Sequence, residues 1–267
     1  MAPVAIITGG ASGMGLGVAR SLASKGWHVH IADLNEDAAK AVASKIKGSY
    51  SVTNVAQYQS LQAMFKDVFS QQGQINFVFA NAGVGERANF YAPTSDDDIS
   101  SPPAELDKLI DIDLKSVINT SYLAKHYMSK NNQKGSKCLV LNASIAGIYP
   151  VPFCPIYTAA KHGVVGLTRA ISTIFYKELG IRVNALCPGN VRTNLFESKE
   201  WDVFDKQEWI EVPQIVKIVE LMLFDESKNG AIIEVAPKEH YIIETPAFKS
   251  DNVRLTLEHP EVESLGK

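Results

Sequence analysis

The sequence predicts an α/β fold, a doubly wound and mostly parallel sheet of about seven strands flanked by helices. Three observations lead there. Short β-branched runs alternate with longer helical patterns along the whole chain. Several of those runs are apolar almost throughout, as strands covered on both faces are. No repeat, low-complexity tract or linker divides the 267 residues, so 1–267 reads as a single domain.

In chain order, Pro3–Thr8 is a strand whose apolar run Val4-Ala-Ile-Ile7 breaks at glycines, and Gly13–Lys25 continues it as a helix. His28–Asp33 and Gly48–Val52 are strands separated by the helical pattern Glu36–Lys47. Val55–Gln71 is helical and Ile75–Ala80 is the fourth strand. Residues 84–103, containing Thr94-Ser-Asp-Asp-Asp98 and Ser100-Ser-Pro-Pro103, form a polar loop feeding a long helix, Ala104–Asn131. Lys137–Asn142 is a strand, Ile156–Glu178 a helix, Arg182–Cys187 a strand, Pro213–Phe224 a helix and Ala231–Val235 the last strand. About 190–211 is aromatic (Phe196, Trp201, Phe204, Trp209) without clean periodicity, and it is the expected substrate loop, with local core or a subunit contact as the other use of these rings. The tail from about 236 to 267 is a C-terminal extension.

Composition narrows the function classes. Charged residues make up 21%, hydrophobic ones 46% and the formal net charge is −3, with no basic run, so neither a nucleic-acid nor a membrane footprint is expected. No apolar stretch reaches the roughly 18–20 residues that span a bilayer, and the first residues carry no basic leader, so the expected location is cytoplasmic. Cys138, Cys154 and Cys187 are three in number and widely spaced, so they suggest free thiols rather than a disulfide framework or a zinc site. Asp96-Asp-Asp98 reads as a solvated acidic face, and His126 and His240 lack ligand spacing, so no metal is expected.

Two stretches carry chemistry. The first strand ends in Thr8-Gly-Gly-Ala-Ser-Gly-Met-Gly15, where Gly9, Gly13 and Gly15 let backbone approach a pyrophosphate at a helix N-terminus. Asp33 closes the second strand about twenty residues on, where a carboxylate can hold both ribose hydroxyls of an adenosine and repel a 2′-phosphate. NAD is therefore expected rather than NADP. In the second stretch, Tyr157 and Lys161 lie one helical turn apart, thirteen residues after Ser144. A phenol has an ordinary pKa of about 10, and an ammonium at i+4 on the same face favours the phenolate. His162 diverges from Lys161 on that helix and reads as a packing or capping residue.

With Asn81-Ala-Gly83 ending the fourth strand, the ordered set TGxxxGxG, Asp, NAG, Ser, YxxxK and PG resembles the short-chain dehydrogenase/reductase family, whose fold is of the Rossmann type. The resemblance implies that Tyr157 is the acid/base, that Lys161 lowers its pKa and binds nicotinamide ribose, and that Ser144 orients the substrate oxygen. It also implies cofactor contacts from Gly9, Ser12, Gly13, Met14, Gly15, Asp33, Leu34, Ser51, Val52, Asn81, Ala82 and Gly83. In Pro188-Gly-Asn-Val-Arg-Thr193, Pro188, Gly189, Val191 and Thr193 would hold the nicotinamide. Within the family the tail Asn229-Gly-Ala-Ile-Ile-Glu-Val235 and Tyr241–Phe248 is similar to the NAD-dependent 15-hydroxyprostaglandin dehydrogenase-like members, which implies a lipophilic secondary alcohol or its ketone. The pocket for it would draw on Tyr149, Phe153, Cys154, Asn190, Phe196 and Trp201, with Pro150 and Val151 beside them, or these could pack locally. The family also implies a homodimer or homotetramer through the helices Ala104–Asn131 and Ile156–Glu178.

Two departures stand out. Ser51-Val52 occupies the place of the usual Asp-Val, leaving a hydroxyl where a carboxylate would meet the adenine amino group. Asp113 stands where the family carries an Asn that completes a proton relay to the lysine. An ionised Asp accepts only, would keep Lys161 charged and would oppose its pull on Tyr157. Asp113 either still organises that relay or marks a site turned to non-redox chemistry, a cyclisation or isomerisation. The expected activity is hydride transfer between NAD(H) and a small lipophilic alcohol or ketone, with Tyr157, Ser144, Lys161 and Asp113 as the catalytic set. A non-catalytic dinucleotide-sensing protein is the remaining alternative.

Overall fold

Eight strands lie side by side in the order β3-β2-β1-β4-β5-β6-β7-β8. The computed structural model describes residues 1–95, 100–131, 135–193 and 208–257. The strands are β1 Val4–Thr8, β2 His28–Asp33, β3 Ser49–Val52, β4 Phe77–Ala80, β5 Lys137–Asn142, β6 Ile181–Pro188, β7 Ile232–Ala236 and β8 Glu239–Ile242. All neighbouring pairs are parallel except β7 with β8. The expected parallel sheet is therefore present with one strand more than the sequence suggested. Lys238, at φ 69°, turns the chain straight back from β7 so that Val235 faces His240. All four β8 residues are exposed, so no buried alternation announces the strand.

Among the described residues the α-helices are α1 Gly13–Ser24, α2 Glu36–Ile46, α3 Tyr58–Gln72, α4 Leu106–Ile110, α5 Ser116–Met128, α6 Pro155–Leu179, α7 Val212–Phe224 and α8 Asp251–Leu257. Side-chain alternation along the central strands divides the core in two. Ile6, Val78, Leu139 and Val183 face Leu61 and Phe65 of α3, Val117 and Leu123 of α5 and Val164 of α6. Ile7, Phe77, Val140 and Leu186 face Val18 and Leu22 of α1, Val42 of α2 and Val219 and Met222 of α7. Each fully buried Phe or Leu stabilises this arrangement by about 1.5–3 kcal/mol.

The long helix expected over Ala104–Asn131 is interrupted. Between α4 and α5, Asp111–Lys115 forms a π-helical turn, and α3 starts at Tyr58 rather than Val55. A π turn rotates the side chains that follow it, and such turns concentrate at functional sites. Here it carries Asp113, whose side chain is fully buried. The carboxyl ends of β1, β2, β4, β5 and β6 all open on one edge of the sheet. The strand order reverses between β1 and β4, the place where open α/β sheets form a ligand crevice.

Candidate active site

At that edge a cavity of about 930 Å³ runs from the glycine loop to the start of α6. Its cofactor end is built by β1 and β4 together. The Thr8 hydroxyl oxygen accepts from the backbone N–H groups of Asn81 and Ala82 at 2.9 and 3.1 Å. The Asn81 side-chain amide donates to the carbonyls of Thr8 and Gly9 at 3.1 and 3.2 Å. Gly15 is required because a Cβ there would lie 2.3 Å from the Gly9 carbonyl oxygen. Asp33 Oδ2 accepts from the Ala11 N–H at 3.0 Å and Oδ1 from the Asn35 N–H at 3.0 Å, which fixes the carboxylate against the glycine loop. Each oxygen keeps a further lone pair for a ribose hydroxyl.

Gly9, Ser12, Gly13, Met14, Asp33, Leu34, Asn81, Ala82, Gly83, Pro188, Gly189, Val191 and Thr193 all line the cavity. Ser51 and Val52 do not. The Ser51 hydroxyl bonds to His30 Nε2 at 2.9 Å and Thr53 Oγ1 at 2.8 Å, and Val52 is half exposed. Thr53 and Asn54, one turn of chain further on, reach the cavity in their place. Strand β3 ends at Val52 in register with Asp33, which turns Ser51 under the sheet edge and delivers the next two residues to the opening. Gly15 acts one layer behind the wall, through the close approach described above.

The other end gathers Ser144, Tyr157, Lys161 and Asp113. Ser144 leaves β5 and its Oγ accepts from the Ala146 N–H at 3.1 Å, capping a short 3₁₀ turn and leaving the hydroxyl proton to donate. Pro155 occupies the first turn of α6, a position where its missing N–H costs nothing, and Tyr157 follows in that turn. Lys161 Nζ lies 5.3 Å from the centre of the Tyr157 ring, donates to the Asn142 carbonyl at 3.1 Å and stands 3.5 Å from Asp113 Oδ2. Asp113 Oδ1 accepts from the Val84 N–H at 2.8 Å. Gly83 leaves room for this pair, since a Cβ there would stand 3.2 Å from Asp113 Oδ1 and 3.6 Å from Lys161 Nζ.

The expected pull of Lys161 on the Tyr157 phenol is present, but burial outweighs it. Burial pushes the Tyr157 phenol up; Lys161 and the Ser144 hydroxyl pull it down, Asp113 and Cys154 push it up, and the net direction is upward rather than downward. Burial works against the Lys161 ammonium, but Asp113 and Tyr157 outweigh it and hold the lysine above its ordinary value. Burial raises the Asp113 carboxyl in spite of the Lys161 charge and the Val84 N–H. Lys161 is thus the firmly charged member of the group.

Of the expected substrate residues, Phe153, Cys154 and Asn190 line the cavity. Tyr149 does not: its hydroxyl donates to Glu234 Oε2 at 2.7 Å on the surface, and that hydrogen bond raises its pKa. Phe196 and Trp201 lie outside the described residues, as do Phe204 and Asp96–Asp98. Burial, with Glu86 nearby, raises the Cys154 thiol to about 11, and burial raises Cys138 and Cys187 to about 11 and about 12, so none is a ready thiolate. Besides Thr53 and Asn54, Asn142 and Glu86 line the cavity without having been expected there. Asn142 gave a signal, a polar residue ending an otherwise apolar strand. Glu86 gave none.

A family model described as short chain dehydrogenase matches residues 3–203. Over 276 residues the chain is 39% identical to short-chain dehydrogenase/reductase prx7 of Penicillium rubens, covering 94% of this chain and 97% of that one. It is 30% identical over 255 residues to 15-hydroxyprostaglandin dehydrogenase (NAD(+)) of Homo sapiens, covering 87% and 90%. The solved structure of levodione reductase superposes with a TM-score of 0.75 at 26% identity, covering 87% of this chain and 95% of the other.

Proposed function

Because the chain belongs to the short-chain dehydrogenase/reductase family, an oxidoreductase family, we propose that it interconverts a lipophilic secondary alcohol and its ketone with NAD(H), using Tyr157 as the acid/base. The observation that carries this reading is the meeting of Ser144, Tyr157 and Lys161 at one end of a cavity whose other end is the glycine loop. The loop fits a dinucleotide: Gly9 and Gly13 take φ of 63° and 50°, which turn the chain sharply into the N-terminus of α1, where Ser12 makes no side-chain cap, and Asp33 faces the same opening. A nicotinamide dinucleotide supplies the hydride acceptor for oxidation and the hydride donor for reduction.

In oxidation the Ser144 hydroxyl holds the substrate oxygen by donating to it, and Tyr157, as phenolate, takes the hydroxyl proton while the carbinol carbon gives up its hydride. Lys161 holds the phenolate by its charge. In reduction the same phenol returns the proton to the oxygen. The preference for NAD rests on Asp33, whose carboxylate would repel a 2′-phosphate, and the name of the human relative agrees. Apolar walls at Val84, Ile112, Ile145 and Val151 suit a lipophilic substrate body.

The test is absorbance at 340 nm during incubation with lipophilic secondary alcohols and NAD, and with their ketones and NADH. Stoichiometric change in NADH with product is expected, with NADP at least tenfold poorer. Product without NADH change would favour a cyclisation or isomerisation at the same site, and tighter NADP binding would overturn the role given to Asp33.

A further inference from the structure

Glu86 sits in the loop after β4, 71 residues before Tyr157, and is only 8% exposed. Its Oε2 accepts the backbone N–H of Tyr157 at 2.8 Å, while its Oε1 is buried and has no hydrogen-bond partner among the described residues. Burying a half-satisfied carboxyl is unfavourable, so the position is explained by what it does for its neighbour. The residue at the start of α6, Cys154, makes no side-chain cap, so a free N–H of the first turn is satisfied from another element. That N–H belongs to the very residue proposed as acid/base.

The same loop holds two further parts of the site. Asn81 bonds to Thr8 and Gly9 of the glycine loop, and the Val84 N–H donates to the carboxylate paired with Lys161. Three contacts within six residues thus fix the glycine loop, Asp113 and Tyr157 to one piece of backbone. We propose that Glu86 is a positioning residue for the reaction, a cap supplied from outside α6 that sets where the Tyr157 hydroxyl stands relative to Ser144 and the cofactor end of the cavity. This rests on the dehydrogenase reading above. A negative group is also what the positive end of a helix favours, and α6 is a single 25-residue helix that carries Lys161 as well. A small tilt of its first turn therefore moves the phenol more than it moves the lysine, and misplacement by about 1 Å can cost roughly a hundredfold in rate.

The experiment compares Glu86→Ala and Glu86→Gln in the full-length chain with NAD. Gln keeps an oxygen for the Tyr157 N–H, and Ala removes it. Hydrogen exchange, followed by mass spectrometry on peptides spanning 154–161, should be faster in the Ala variant and near wild type in the Gln variant. For an alcohol that wild type oxidises, kcat in Glu86→Ala should fall about ten- to hundredfold, with the Kd for NAD within about twofold and most of the rate restored in Glu86→Gln. Unchanged exchange in Glu86→Ala would overturn the tether. Faster exchange with undiminished kcat would reduce Glu86 to a helix cap, and a Gln variant as slow as Ala would also overturn the proposal. If wild type oxidised no alcohol, the dehydrogenase reading would fail by itself, while the exchange arm would still decide whether Glu86 holds Tyr157.

Discussion

At Tyr157 the forces do not run one way. Burial and Asp113 favour the phenol, and Lys161 and Ser144 favour the phenolate. Removing the hydroxyl leaves all the packing and deletes the proton transfer, so Tyr157→Phe should lower kcat by roughly 10²–10⁴-fold while NAD binding, read by fluorescence titration, persists. Full turnover in that variant would refute the role given to the phenol. Asp113→Asn tests the departure at the π turn. The amide can be oriented to accept from the Val84 N–H as the acid does, but a negative charge that pushes Tyr157 up is gone. With the Tyr157 pKa lowered, the phenolate forms at lower pH, so the rising limb of kcat/KM against pH for alcohol oxidation should move toward acid. A limb that stayed in place, or moved toward base, would show that Asp113 does not act on Tyr157 through charge.

The elements were unequally legible. Runs such as Val4–Ile7 and Leu139–Leu141 are buried on both faces and could be seen as strands from their apolarity alone, and the glycine spacing marked the β1–α1 junction. The π turn was not legible, because Asp111–Lys115 fits a continuous helix by composition and only the pairing of Asp113 with Lys161 and Val84 makes the extra residue worthwhile. Strand β8 is four exposed residues, and Tyr149 was misplaced because its reach to Glu234 spans 85 residues of sequence. Two predictions belong at this scale. In Gly15→Ala the added carbon meets backbone, the Gly9 carbonyl, and should lower stability by about 1–3 kcal/mol and weaken NAD binding; calorimetry with and without NAD reads both. The β2–β3 edge should confer acid sensitivity. His30 is buried between Ser49 and Ser51, and burial, with His28 adding to it, lowers its pKa from 6.5 to about 4. Its folded pKa lies below the unfolded one, so its contribution is complete above pH 6.5 and is lost as pH falls toward 4, on the order of 3 kcal/mol in all. The melting temperature should fall over that interval, and His30→Gln should flatten the fall.

On the scale of the whole molecule, the outer face of α5 and α6 exposes apolar and small side chains together. Ile118 and Tyr122 of α5 are 43% and 59% exposed, one turn apart on the same face. Along α6, Ala159, Gly166, Ala170 and Ile174 are exposed at helical spacing, and a Cβ added at Gly166 would meet nothing within 4 Å. Small residues in a stripe with apolar side chains beside it let another helix pair approach closely, and a two-fold axis through such a face makes a self-complementary contact. On this argument the expected assembly is a homodimer, or a tetramer containing that dimer, with α5 and α6 packed against their copies. Gly166→Glu discriminates between this and a free surface. In an isolated chain the substitution has open space around it and replaces a poor helix former by a good one, so it should preserve or raise the stability of the monomer. In the dimer it sets two carboxylates close to the axis and should dissociate the assembly. Light scattering at micromolar concentration should give at least twice the 29.1 kDa chain mass for wild type and the chain mass for the variant. A wild-type monomer, or a variant that stays assembled, would place the contact elsewhere or remove it. Lys161 is buried on the site's side of α6 whereas Gly166 is exposed with open space around it, so the monomeric variant should keep its affinity for NAD.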